Sequence, residues 1–347
     1  MKKRILAAML AAAMVVTAFS GCSSKSKDED SSETQTDVGD ASDGGDVSDD
    51  EEIGEITATE LNIAIQPSGA FIPLLIAKEE GWLEEDLAEY GVTVNWNSFE
   101  AGPQINDSMA EGSTDVGPLG DVPAVSAIAA GQDNVVACIA AEGPTAYALL
   151  VAQDSEIESV EDLKGKTIAT VVGSTGHNLV DKVLASVDLS IDDDVNFLSI
   201  SASEASDVLI SKEADAVAIW EPNVTRLTEN GTARVLAYGQ EVGLLGVNPL
   251  MINREFAEAN PGIVQILVKD YQRGVDAVND LSGTTLTNIA EYLSLEENQV
   301  LTVASNWDYT VDITDDDIVC LNDTIVFLVK IGILTKSYDI SDYIYER

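Results

Sequence analysis

Histidine, cysteine, aromatic residues and positive charge are all scarce in this chain. Its 347 residues contain one histidine, three cysteines, and Phe, Trp and Tyr at 5%. There is no CxxC pair and no His/Cys cluster, so a zinc site is not expected, and the Asp-rich N-terminal stretch lacks the spacing of a calcium-binding EF-hand. Lys and Arg number 18 against 61 Asp and Glu, a formal net charge of −43. Phosphate backbones and anionic lipid headgroups are therefore repelled, which argues against nucleic acid or a basic-patch membrane contact. GxSxG, P-loop and dinucleotide-type glycine patterns are missing, and a lone histidine has no arranged nucleophile; no catalytic residue, metal or cofactor is expected. No repeat at a solenoid period is visible. Cys138 and Cys320 lie in apolar surroundings and read as small buried hydrophobes, although a disulfide is neither required nor excluded by one pair. What is present is length enough for two domains with proper cores.

The N-terminus opens with Met1-Lys2-Lys3-Arg4 and an apolar run over 5–19, too short to span a bilayer comfortably. It ends in Phe19-Ser20-Gly21-Cys22. Small residues just before a cysteine resemble the bacterial lipoprotein box, with Phe19 standing where leucine is usual. The resemblance implies a signal peptide over 1–21, and Cys22 acylated as the mature N-terminus. Residues 22–56 are acidic, Ser- and Gly-rich and almost devoid of apolar side chains. Such a segment cannot offset its ordering entropy and reads as a disordered tether.

From Glu60 the pattern alternates. Strands are predicted at 61–65, 92–96, 115–117, 135–141 and 147–152, with helices over 71–81, 103–111 and 122–130. A second series begins after Ser155, with strands at 167–172, 195–198, 214–219 and 235–237 and helices after His177 and over 203–211. From about Leu250 the pattern is largely helical, over 256–281, 289–293, 296–306 and 318–331. This βαβα succession predicts an α/β fold with mostly parallel sheet covered on both faces.

Ligands in such folds sit beyond the carboxyl ends of strands, where helix N-termini converge. The strand ends here are Gln66-Pro67-Ser68-Gly69, Glu100-Ala101-Gly102-Pro103, Leu119-Gly120-Asp121, Gly173-Ser174-Thr175-Gly176-His177 and Trp220-Glu221-Pro222. The fourth has the strongest chemistry: a β-branched run stops at glycine and turns directly into a helix. The first N–H groups of that helix carry part of a positive charge and suit an oxyanion. Taken alone, Ser174 or Thr175 capping its own helix explains the same residues.

Several motifs together carry a family resemblance: Ala77-Lys78-Glu79-Glu80-Gly81-Trp82, Gly112-Ser113-Thr114-Asp115-Val116-Gly117, Asp162-Leu163-Lys164-Gly165-Lys166-Thr167, Gly173-Ser174-Thr175-Gly176-His177 and Ala214-Asp215-Ala216-Val217-Ala218-Ile219-Trp220-Glu221-Pro222. The chain is similar, from about Glu60 onward, to ABC-transporter solute-binding lipoproteins of the sulfonate, taurine and nitrate group. That resemblance implies a periplasmic-binding-protein type II fold, two Rossmann-like lobes joined by a double-crossover hinge. Lobe one is then 57–147 plus 245–347 and lobe two 152–240, with crossovers near 147–152 and 239–251. It also implies a monomer, lipid-anchored to the outer face of the cell membrane or periplasmic, that delivers a small organic anion to a permease and its ATPase. An aliphatic sulfonate or taurine is the first expectation, and nitrate, bicarbonate or a thiamine-precursor pyrimidine the second. On this reading Ser174, Thr175 and His177 hold the anionic head, faced by Gln66, Ser68 and the Gly120 amide. Asp121 and Glu221 are candidates to pair with a cationic end, Asp121 having helix capping as its alternative and Glu221 the solvated rim. Trp220 is a candidate pocket wall.

Overall fold

Two β-sheets with helices packed around them account for residues 52–346, the part of the chain that the computed structural model describes. The signal peptide, Cys22 and nearly all of the expected tether lie outside the described residues. The first strands in the chain are β1 (Glu60–Ile65), β2 (Thr93–Ser98), β3 (Val116–Pro118) and β4 (Asn134–Glu142). Next come β5 (Tyr147–Ala152), β6 (Thr167–Thr170), β7 (Asn196–Ser199), β8 (Ala216–Trp220) and β9 (Ala233–Tyr238), and finally β10 (Val247–Asn253) and β11 (Asp308–Tyr309). One sheet has the order β11-β4-β10-β3-β1-β2 and the other β7-β6-β8-β5-β9.

The chain therefore passes from the first sheet to the second between β4 and β5, and returns between β9 and β10. These passages lie at 143–146 and 239–246. The first crossover is thus shorter and earlier than expected, because 147–152 is itself a fully paired strand of the second sheet, bonded to both β8 and β9.

The expectation of mostly parallel sheet is corrected. Four strand pairings are parallel and five antiparallel. The double crossover accounts for four of the five: β5 and β10 each enter a sheet against the direction of both neighbours, and β11 on β4 is the fifth. β10 is also a correction to the reading of a helical remainder from Leu250. It lies at the centre of its sheet, all but one of its residues buried, and accommodates Pro249 through a register shift between Asn248 and Pro249.

Ordered packing begins inside the segment expected as tether. Ile53 and Ile56 pack against the core, Gly54 N donates to Gln265 Oε1 (2.7 Å), and Thr57 N and Ala58 N both donate to Asn260 Oδ1 (2.8 and 2.7 Å). Gly262 permits this approach, since a Cβ there would stand 2.4 Å from the Gly54 carbonyl oxygen.

Candidate functional site

Between the two lobes, one around each sheet, lies a cavity lined by Gln66, Ser68, Phe71, Ala101–Pro103, Gly120, Pro123, Tyr147, Ser174, Thr175, Trp220 and Asn248. The atom-free space among them is about 340 Å³, open solvent at the mouth included.

Three α-helices start at this cavity: Gly102–Ala110, Asp121–Ala129 and Thr175–Ala185; a 3-10 turn, Gly69–Phe71, starts there as well. At the first two of these helices the preceding residues, Ala101 and Gly120, provide no side-chain cap. Pro103 and Pro123 each remove one first-turn N–H, and those of Gln104, Val122 and His177 are bonded to Ala101 O, the Asp121 carboxylate and Ser174. The positive ends of three helix dipoles still meet in one place. Ser68 Oγ accepts from Ala70 N (3.3 Å), and its own proton remains available. None of the lining residues is Lys, Arg, Asp or Glu. Neutral donors and helix ends of this kind hold a fully ionised, weakly basic anion without a counter-charge.

The Gly173 turn is capped by its own serine and also opens on the cavity. Ser174 Oγ donates to Val171 O (2.7 Å) and accepts from His177 N (3.4 Å), so it caps its helix. Ser174 and Thr175 nonetheless face the cavity. The close fit of the lobes depends on Gly120, where a Cβ would stand 2.6 Å from Thr175 Oγ1.

Of the residues singled out from sequence, Gln66, Ser68, Gly120, Ser174, Thr175 and Trp220 meet at this cavity; Asp121, Glu221 and His177 do not line it. Gln66 is fixed by its Nε2 donating to Pro118 O (2.7 Å). Asp121 is wholly buried behind the wall, where its carboxylate accepts from Thr175 Oγ1 (2.5 Å) and Thr324 Oγ1 (2.6 Å). Burial pushes its pKa up, while the bonds from Thr175, Thr324 and the Val122 N–H pull the other way. Glu221 is nearly as enclosed and borders a different hollow, with Thr225, Tyr238 and Asn306. Its carboxylate accepts from Thr225 N (2.9 Å), Thr225 Oγ1 (2.8 Å) and Asn306 Nδ2 (2.8 Å). Burial again raises the pKa against those bonds.

These two carboxylates tie the lobes together, Asp121 reaching Thr175 across the cleft and Glu221 receiving Asn306 from the other side. Neither lines the cavity, so neither is placed to meet a ligand ammonium there. His177 turns away to stack on Phe197 (4.8 Å between centroids) and meet Phe327 edge-on (5.7 Å). It borders a separate hollow with Asp181 and Lys330. Burial lowers its pKa, opposed by Asp181, which favours the neutral ring near pH 7.

Asn248 was not foreseen. It sits in the central strand β10, accepts from the Tyr147 hydroxyl (3.0 Å) and donates to Gly246 O (2.6 Å), joining the two crossovers at the cavity wall. Pro123 and the Ala101–Pro103 turn complete the wall beside Phe71, Tyr147 and Trp220. The turn was visible in the sequence as a strand end, whereas Asn248 lay in a stretch with no strand signal.

A protein-family model described as NMT1/THI5 like matches residues 68–280. The "Putative aliphatic sulfonates-binding protein" of Bacillus subtilis (strain 168) is 30% identical over 286 residues, 82% of this chain and 85% of that protein. The "Taurine-binding periplasmic protein" of Escherichia coli (strain K12) is 26% identical over 215 residues, 61% of this chain and 64% of that one. Among solved structures, the alkanesulfonate-binding protein SsuA from Xanthomonas axonopodis pv. citri bound to MOPS superposes with a TM-score of 0.76 at 28% identity, covering 84% of this chain and all of the other.

Proposed function

The chain belongs to the NMT1/THI5-like family, and from that premise we propose that it is the extracytoplasmic solute-binding component of an ABC importer, capturing a small aliphatic sulfonate between its lobes. The observation that carries this is the convergence of three helix N-termini on a cavity without a charged side chain. A sulfonate is ionised at every physiological pH and spreads its charge over three weakly basic oxygens, so amide and hydroxyl donors suffice. The names of the relatives point the same way. Phe71, Pro103, Pro123, Tyr147 and Trp220 give the rest of the cavity an apolar character suited to a short carbon tail. Nitrate and bicarbonate have no tail to use that wall. The expected double crossover supports hinge closure over the ligand as the working motion, with release to a permease–ATPase complex. Acylation at Cys22 and an acidic tether complete the proposal, in which a monomer is held at the outer membrane face; mass spectrometry of the membrane-extracted protein tests the anchor.

The cavity also ranks the sulfonates. Propane-1-sulfonate and taurine have nearly the same shape, and differ in carrying a methyl or an ammonium at the tail end. Asp121 and Glu221 are already engaged by the protein's own donors, so a taurine ammonium would be desolvated without a carboxylate partner. Propane-1-sulfonate is therefore expected to bind at least tenfold more tightly. A thermal-shift and calorimetric panel of propane-1-sulfonate, taurine, nitrate, bicarbonate and an aminopyrimidine tests both levels, since a ligand of the native state raises the melting temperature by mass action. Taurine binding as tightly as propane-1-sulfonate would remove the ranking. A shift with the pyrimidine and with no sulfonate would overturn the function.

A further inference from the structure

The carboxylate of Asp121 joins the lobes through Thr175, but the solute-binding reading gives its buried charge no part in binding. It lies one hydroxyl away from the cavity: Thr175 lines the cavity and donates its proton to Asp121 Oδ1. An anion in contact with Thr175 Oγ1 would then face lone pairs rather than a proton, with a second negative charge directly behind them. We infer that Asp121 takes up a proton from solvent when an anion is seated at Thr175, so that ligand capture in this cleft is coupled to proton binding at a wholly buried carboxyl. The inference rests on the anion reading of the cavity.

The rearrangement moves protons along one line. Asp121 Oδ1 gains a proton and donates it to Thr175 Oγ1. The Thr175 proton, released from Asp121, turns to a ligand oxygen. The repulsive hydroxyl becomes a donor, and the negative charge behind it disappears.

The surroundings offer no other way to neutralise that charge. On the helix Thr175–Ala185, Thr175 bonds Asp121 and the Asn178 amide lies close by, with Lys182 beyond Asn178 around an adjoining hollow. His177 and Asp181 of the same helix border the other hollow. On the helix Asp315–Lys330, Thr324 bonds Asp121 and Cys320 lies near it, while Asp316 and Asp323 are exposed at the rim of the adjoining hollow. β5 contributes Tyr147, β10 has no acid or base, and the one acid of the helix Gly102–Ala110, Asp107, is exposed. Among the described residues no Lys or Arg pairs with Asp121. Burial raises the Tyr147 hydroxyl and the Cys320 thiol, Cys320 to about 12, and the Asp121 carboxylate adds to both shifts. Burial has already moved Asp121 upward, and an anion at Thr175 moves it further in the same direction.

Calorimetric titration of the protein with propane-1-sulfonate from pH 5 to 8.5, in buffers of different ionisation heat, counts the protons exchanged. The expected result is uptake of up to one proton per ligand within a window of pH, the affinity falling by up to about tenfold per pH unit as pH rises through that window. Asp121→Asn is expected to abolish both effects and His177→Gln neither. Binding with no proton uptake at any pH overturns the inference. So does uptake that survives Asp121→Asn, or uptake that disappears in His177→Gln. Where the Asp121 variant does not fold, a Glu142→Gln titration joins that of His177→Gln, because Glu142 also titrates in this range, and uptake that disappears in either overturns the inference. Absence of any propane-1-sulfonate binding heat or thermal shift overturns the anion reading as well, and is thereby distinguishable from failure of the coupling alone.

Discussion

Gly120 is the residue at which a single methyl group tests the closure of the cleft. A Cβ there would stand 2.6 Å from Thr175 Oγ1, on the opposite lobe. The backbone at Gly120 is extended (φ −72°, ψ 168°), so alanine adds a collision without backbone strain. Because the collision lies on a seam, the lobes can relieve it by parting. Gly120→Ala is therefore expected to weaken propane-1-sulfonate binding by roughly 1–3 kcal/mol, the usual cost of overpacking, with little change in the melting temperature of the ligand-free protein. A titration paired with a melting curve separates these effects, and a large drop in melting temperature with unchanged affinity would contradict the seam. At this scale the sequence was most informative where backbone does the work, as at Gly120 and the Gly173–Thr175 turn. It was least informative about where side chains turn. Gly-Ser-Thr-Gly-His places His177 on a first helical turn whichever way its ring points, and only the packing of Phe197 and Phe327 draws it out of the cleft. Glu221 before Pro222 has the look of a rim residue, yet Thr225 and Asn306 come from opposite lobes to bury it.

Elements with a period of their own were legible, and elements defined by their partners were not. The strand β5 is read with the same limits from its unbroken apolar run Tyr147–Ala152, and the helices at 102–110, 121–129 and 175–185 fall where glycine, proline or serine opens an apolar periodicity. β10 contains a proline and ends in asparagine, both of which argue against a central strand. It is a strand because β3 and β4 bond it from both sides, a fact about tertiary structure. The same holds for ties between elements distant in sequence. Lys330, at the end of the helix Asp315–Lys330, reaches Asp181 on the helix Thr175–Ala185 at 2.8 Å, across the two lobes. The lysine side chain is 58% exposed, so the pair is worth no more than about 1 kcal/mol. Its consequence belongs to the rate of opening: Lys330→Ala is expected to speed propane-1-sulfonate dissociation by roughly two- to fivefold, a difference that shrinks with added salt. Stopped-flow release at two ionic strengths checks it, and a salt-independent effect would point to lost packing instead.

For the molecule as a whole, the governing quantity is an excess of negative charge, −43 over the chain, combined with carboxyls that burial raises. Burial raises Asp121 and Glu221 above the usual carboxylate range, and Asp270 as well although Arg273 bonds it at 2.6 Å. Glu142, beside the first crossover, is pushed up to about 7 by burial and then by Asp317, Asp308 and Asp316. An acid whose pKa is higher folded than unfolded favours the folded state while protonated. That contribution is complete below the unfolded value, about 4, and is lost as pH rises through the folded value. Another set of carboxylates, Asp162, Asp194, Glu204 and Asp339, is held low chiefly by backbone N–H donors and by Lys164 beside Asp194. Their contribution runs the other way, present above about pH 4 and lost on further acidification. Self-repulsion of the net charge adds to the first trend, since it weakens as carboxylates protonate and as salt screens them. The melting temperature is therefore expected to rise as pH falls from 8.5 to about 5, to turn over near pH 4, and to rise with added salt at pH 8. Melting curves from pH 3.5 to 8.5 at low and at about 0.3 M salt test this directly. A stability that climbs steadily with pH from 5 to 8, or one that salt lowers at pH 8, would mean that unseen cations balance the buried acids after all.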